Sequence, residues 1–173
     1  QKQVDEKTKT RLSNQAVTAS MSGNTIPLGK ADIIKINSVT DSNSVDVTDQ
    51  FTLDNGQRDT FYDLGKLIQK PGFSAIPGNL VVNFDFYTHG AGNYITADSY
   101  PPTDYAAIGT FNSSRDGTVS LRDCIDFRPR IADNGTDFSS TGGSISQAPN
   151  TNHTVTSEIT YYMKRIDKLF VNK

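Results

Sequence analysis

Two short runs hold the residue types best suited to chemistry. The first is Asp54-Asn55-Gly56-Gln57-Arg58-Asp59-Thr60-Phe61-Tyr62-Asp63, and the second is Leu121-Arg122-Asp123-Cys124-Ile125-Asp126-Phe127-Arg128-Pro129-Arg130. In each, an arginine stands within a few residues of several carboxylates and beside a large ring. A planar guanidinium meets a carboxylate through two parallel N–H···O bonds, and an adjacent ring keeps water from the pair. The runs are therefore predicted to be structural clasps, built by Asp54, Gln57, Arg58 and Asp63 in one and by Asp123, Asp126 and Arg128 in the other.

Other chemistry at these positions is weaker on residue grounds. Asp54, Asp59 and Asp63 invite comparison with a calcium loop, but the alternating oxygen ligands and the closing Glu are absent. Asp54-Asn55-Gly56 suits turn chemistry better, with the side chains capping the backbone and Gly56 left-handed. Asp123 and Asp126 could be the paired acids of a hydrolase. However, Arg122, Arg128 and Arg130 bring more positive charge than a proton-sharing dyad tolerates, and Ser120 can cap one helical turn over 121–125. His89 and His153 are the two histidines, neither with a carboxylate or thiol at metal spacing, and both read as surface residues. Cys124 lies between Asp123 and Ile125, where a thiolate is disfavoured, and reads as a small buried apolar side chain. No nucleophile elbow, phosphate loop or dinucleotide fingerprint occurs. The residues thus predict no catalytic, cofactor-binding or metal-binding set, and no enzyme.

The elements that position the clasps are predicted to be short strands. The chain has 173 residues, a net charge of −2 and a hydrophobic share of 35%, with Ser, Thr, Asn, Asp and Gly abundant. That composition favours many turns between strands, and its charge lacks the basic footprint that nucleic acid requires. One cysteine excludes an internal disulfide. No apolar run approaches the ~18 residues that span a bilayer, and no signal-peptide core opens the chain. Membrane insertion is not expected.

Residues 1–14 are charged and lack an apolar period, so they read as a linker or an assembly arm ordered by a neighbour. A β-rich domain is expected over 15–173. Val17, Ala19 and Met21 alternate, Gly23-Asn24 turns the chain, and Ile26 and Leu28 lead into 31–39, for two strands in all. There Ile34 and Ile36 share one face and Ile33 takes the other. Val45, Val47, Phe51 and Leu53 share a side of an extended segment. Leu80, Val82, Phe84 and Phe86 alternate strictly and are predicted to line the main core. Residues 89–93 read as a hairpin loop with 94–97 as the returning strand. A long polar excursion is expected over 133–157, and strand structure again over 158–171. The start at Gln1 and the end at Lys173 suggest a piece of a larger polypeptide. The fold class expected is all-β, mainly an antiparallel β-sandwich, with long loops and little helix.

Several motifs follow one another in a telling order: 31–36 (ADIIKI), 46–51 (DVTDQF), the first clasp, 82–89 (VNFDFYTH), 98–100 (DSY), the second clasp and 161–169 (YYMKRIDKL). As a set, over residues 26–173, they resemble a domain of large virion structural proteins of contractile-tailed bacteriophages: tail, baseplate and tail-fibre proteins. The resemblance implies a structural part of the virion, in its tail or baseplate region, without enzymatic activity. Its partners would be other virion proteins and copies of itself, and its shared residues would be fold determinants. Cys124 departs from an apolar preference at its position, and Met163-Lys164 from a common Leu-Pro.

Two other readings belong to different classes. Tyr94, Tyr100 and Tyr105 near loops could form stacking platforms of a receptor- or carbohydrate-binding module of a tail fibre, if exposed together. No residue pattern supports a particular host receptor. A glycan-degrading enzyme would need two convergent carboxylates in a cleft.

Overall fold

Strict alternation of large apolar residues over 80–86 demands a strand with one face hidden. In the computed structural model, which describes residues 2–138 and 155–156, this segment is the central strand of a sheet and all four side chains are buried. In chain order the strands are β1 (Lys2–Gln3), β2 (Lys9–Ser20), β3 (Thr25–Ala31), β4 (Ile33–Thr40), β5 (Phe51–Asp54), β6 (Leu64–Gln69), β7 (Asn79–His89), β8 (Thr110–Ser113), β9 (Gly117–Ser120) and β10 (Val155–Thr156). Helix among the described residues is confined to short 3-10 turns.

Two three-stranded antiparallel sheets, in the orders β2-β7-β4 and β3-β6-β5, form the sandwich. Its core joins Ile26 and Leu28 of β3, Phe51 of β5 and Leu67 of β6 to Ile33, Val39 and the β7 quartet opposite. Each such side chain contributes about 1.5–3 kcal/mol by leaving water. β8 and β9 form a separate hairpin, and β1 pairs in parallel with β10. The architecture is thus an all-β, mainly antiparallel sandwich.

β7 is buried on both faces beyond Phe84: Asp85, Tyr87 and His89 are as hidden as Phe84 and Phe86. The even residues face the sandwich core. The odd ones face a second cluster made by Ala31, Tyr62, Tyr87, Ile95 and Tyr100. A register shift in β2 between Leu12 and Gln15 serves both faces. Directly opposed antiparallel residues share a face, so Val17 and Ala19 join Val82 and Leu80, while Lys9 and Arg11 join His89 and Tyr87.

This corrects the expected arm over 1–14. Residues 9–14 are the first half of β2, and Val4, Lys7 and Lys9 are buried. The segment lacks an apolar period because, past Val4, its inward groups are cations, of which Lys9 and Arg11 pair with carboxylates.

Four further expectations change. Residues 15–39 form three strands, since Asp32, at φ 57°, separates β3 from β4. Bulges in β4 send Ile34 to the second cluster and Ile36 to the sandwich core with Ile33, against the alternation. A 3-10 turn at Thr48–Gln50 interrupts the segment at 45–53, burying Val47 and Phe51 but leaving Val45 at 53% exposure. Residues 94–95 do not return along β7, whose two edges are already taken. Tyr94 instead bridges to Glu6, and Ile95 to Asp126.

Of the long excursion, residues 133–138 are a turn closed by an Ile131–Phe138 bridge, with Asp133 tied to Lys30 and Arg130. Residues 139–154 and the expected strand over 158–171 lie outside the described residues.

Candidate functional site

The odd face of β7 opens the site. His89 ends the strand, and its Nε2 lies 2.7 Å from Oδ2 of Asp32. Lys9, opposite His89 on β2, places Nζ 2.8 Å from the same oxygen and donates to the Tyr100 hydroxyl at 3.0 Å. The Tyr62, Tyr87 and Tyr100 rings surround that ammonium at 4.9, 5.4 and 4.4 Å. Burial opposes the Lys9 charge, but Asp32 and Tyr100 outweigh it and raise its pKa. Burial likewise opposes the Asp32 charge, and Lys9 and His89 still hold that carboxyl well below the usual range. For His89 burial wins and pushes the imidazole down to about 4, so it is neutral at pH 7.

A second buried pair adjoins the first through Tyr62, whose hydroxyl donates to Asp126 Oδ2 at 2.5 Å. Arg128 meets Asp126 side-on through Nε and a terminal nitrogen, at 3.0 and 2.8 Å. The guanidinium lies between the Tyr62 and Phe111 rings, at 4.4 and 4.5 Å. Burial opposes the Asp126 charge, but Arg128 and Tyr62 hold the carboxyl below its usual value.

Arg128 also joins the two sequence runs. It donates to the Arg58 carbonyl at 2.8 Å and to Oε1 of Gln57 at 3.2 Å. The predicted clasps are therefore one assembly. Within the first run, Arg58 forks onto Asp54 with two bonds of 2.9 Å and reaches Asp63 at 3.3 Å. Asp54 and Asn55 cap the amides of Gly56 and Gln57, and Gly56 is left-handed at φ 83°. Asp59 turns away to bind Ser114.

Asp123 does not join. It is exposed at the end of the Leu121–Asp123 turn, for which Ser120 supplies no side-chain cap. Cys124, expected to be buried, is half-buried, with Sγ 3.6 Å from the Leu121 carbonyl. Burial pushes its thiol up.

On β2 beyond Lys9, Arg11 bridges Asp85 at 2.8 Å and Asp104 at 3.1 Å, and Tyr87 donates to Asp104 at 2.7 Å. Asp85 also accepts from the Asn14 amide and from Asn37. Glu6 accepts from Thr96 and Ser99. Lys9, Arg11, Asp32, Asp85 and Asp104 were not singled out from the sequence. His89, read as a surface residue, is buried because the odd face of β7 is covered; His153 lies outside the described residues. The one available signal was the mixed face of the 80–87 strand, where Asp85 and Tyr87 sit.

Two cavities border this network. One of about 120 Å³ is lined by Asp32, Tyr87, Tyr100, Asn55 and Gln57 among others, and one of about 240 Å³ by Ala97, Asp98, Tyr100, Pro102 and Tyr105. Among the described residues each is lined by one carboxylate, whereas acid–base glycoside cleavage uses two. Among the described residues no group of three or more His, Cys, Asp or Glu is placed to hold a metal ion. Chemically the site pairs buried and half-buried charges and locks loops to strands. No family model, curated protein or solved structure matches the chain. Fold and site together define an all-β sandwich braced on its outer flank by a buried ionic and aromatic network.

Proposed function

We propose that the chain is a structural component of a bacteriophage virion, part of a tail, baseplate or tail-fibre assembly that works by mechanical attachment. One observation carries the reading. Motifs that together resemble those of virion structural proteins, scattered from Asp32 to Arg128, meet in a single network through Asp32, Tyr62, His89, Tyr100, Asp126 and Arg128. Residues that serve to hold loops against a sheet are what a load-bearing module requires, because truncating one member leaves a buried charge unpaired. Partners in this reading are other virion proteins and further copies of the chain, engaged through sheet edges and loops.

A receptor- or carbohydrate-binding module of a tail fibre is the second reading. Tyr94 and Tyr100 are buried and unavailable for stacking, so it rests on half-buried Tyr105 at the larger cavity. Gold-labelled antibody against the domain, applied to purified particles of the phage that encodes it, distinguishes the cases. Label along the tail or baseplate supports the structural reading, and label confined to fibre tips, with retention on a glycan array, supports the second. Absence of the chain from the peptides of purified particles overturns both.

A further inference from the structure

We propose that Lys9 and Asp32 condense into an intramolecular isopeptide bond, with His89 relaying a proton between the reacting groups. The inference stands on the network's geometry and is independent of any place in a virion. Nζ of Lys9 sits 2.8 Å from Oδ2 of Asp32, and the two side chains are 0% and 6% exposed. In water an amine and a carboxylic acid stay ionised and apart. Asp32 and Tyr100 keep the pair ionised at rest. The reaction runs through the minor form in which a proton has crossed the contact to give a neutral amine facing a neutral acid, a form that enclosure makes more accessible than it is in water. Fixed juxtaposition of nucleophile and electrophile is worth an effective concentration of roughly 10⁵–10⁸ M.

The atoms balance without a co-reactant. The Lys9 nitrogen bonds to Cγ of Asp32 and the Cγ–Oδ2 bond breaks. Two of the three ammonium protons end on Oδ2, which departs as water; nitrogen keeps the third, and Oδ1 becomes the amide carbonyl.

His89 touches the leaving oxygen at 2.7 Å, and the Tyr62 ring meets it edge-on at 5.0 Å, fixing its plane. Its Nδ1 is buried without a hydrogen-bond partner among the described residues, so Nε2 alone is engaged, at the reacting oxygen. Asp32 holds a left-handed backbone, φ 57°, a sparsely populated state for a residue with a side chain and one that clusters at functional sites. The released water has somewhere to go, since the cavity of about 120 Å³ reaches Asp32, and one water takes about 30 Å³ of liquid volume. The three tyrosine rings favour the ammonium, so the ion pair is the resting state and condensation is slow.

Intact-mass measurement of the full 173-residue chain, fresh and after prolonged incubation at neutral pH, tests this. The expected result is a mass below the sequence mass by one water, with a protease-resistant branched peptide joining the segments around Lys9 and Asp32. Lys9→Arg and Asp32→Ala should restore the full mass, and His89→Ala should slow bond formation at least tenfold. Should those variants fail to fold, the wild-type mass decides alone. A folded wild-type chain that keeps its full mass overturns the proposal, as does a lost water mapped elsewhere, such as a succinimide at Asp116-Gly117. A folded His89→Ala chain that cross-links at the wild-type rate removes His89 from the step.

Discussion

The two clasp arginines differ in what their loss leaves behind. Arg128 is 10% exposed and its partner Asp126 is 6% exposed, whereas Arg58 is 32% exposed and its partners Asp54 and Asp63 are 20% and 38% exposed. Removing Arg128 strands a dehydrated carboxylate, a situation that costs about 3–5 kcal/mol. Removing Arg58 lets water replace it, at about 1 kcal/mol or less. Urea unfolding of Arg128→Ala and Arg58→Ala should show that gap, and equal losses would contradict the difference in burial between the two arginines. His89 supplies a pH dependence of definite sign. Its pKa falls from 6.5 to about 4 in the fold, with burial the larger cause. Between those values the unfolded chain holds more protons, so stability falls as pH drops from 6.5 to 4. The loss is on the order of 3 kcal/mol. Because burial acts whether Lys9 and Asp32 are an ion pair or joined, denaturant midpoints should show this slope in either state. His89→Gln should flatten it.

At the scale of elements, the turn of the first clasp depends on Gly56. It sits at φ 83°, and an added Cβ would lie 2.0 Å from the Asp63 carbonyl oxygen, whose residue donates its amide to Gly56 at 2.6 Å. Gly72 has a similar φ of 95° but open space around it. Gly72→Ala should therefore carry only the conformational cost, about 1 kcal/mol. Gly56→Ala should cost clearly more and loosen the Arg58–Asp54 fork. Thermal melts of the two variants give the comparison, and matching shifts would mean that the turn yields without strain. The β2 register shift has comparable weight, because it lets one strand serve an apolar core and an ionic network.

For the molecule as a whole, the start of the chain is part of the fold. Lys9 to Leu12 pair with His89 to Phe86, and Glu6 and Lys7 bond into the 94–99 loop. Amide exchange on the dilute monomer should show residues 9–12 protected alongside 80–87. Fast exchange over 9–12 would restore the picture of an arm awaiting a neighbour.

The all-β class and the main core strand were legible in the sequence, because alternation of Leu80, Val82, Phe84 and Phe86 reports a local period that needs no partner to be seen. Turn chemistry at Asp54-Asn55-Gly56 was legible for the same reason, since its side-chain caps reach only two residues along the chain. The pairing of Arg58 with Asp54 and of Arg128 with Asp126 was likewise local. Only the tertiary structure decided that the two clasps are one, that Asp123 stands outside, and that Lys9, Asp32 and His89 share an oxygen. Lys9 and Asp104 carried no signal of their own in the sequence, because burial of an ionic group depends on a partner brought from far along the chain. Pattern reading along one strand detects the hydrophobic face, but the charge-matched face becomes visible only when the sheets assemble.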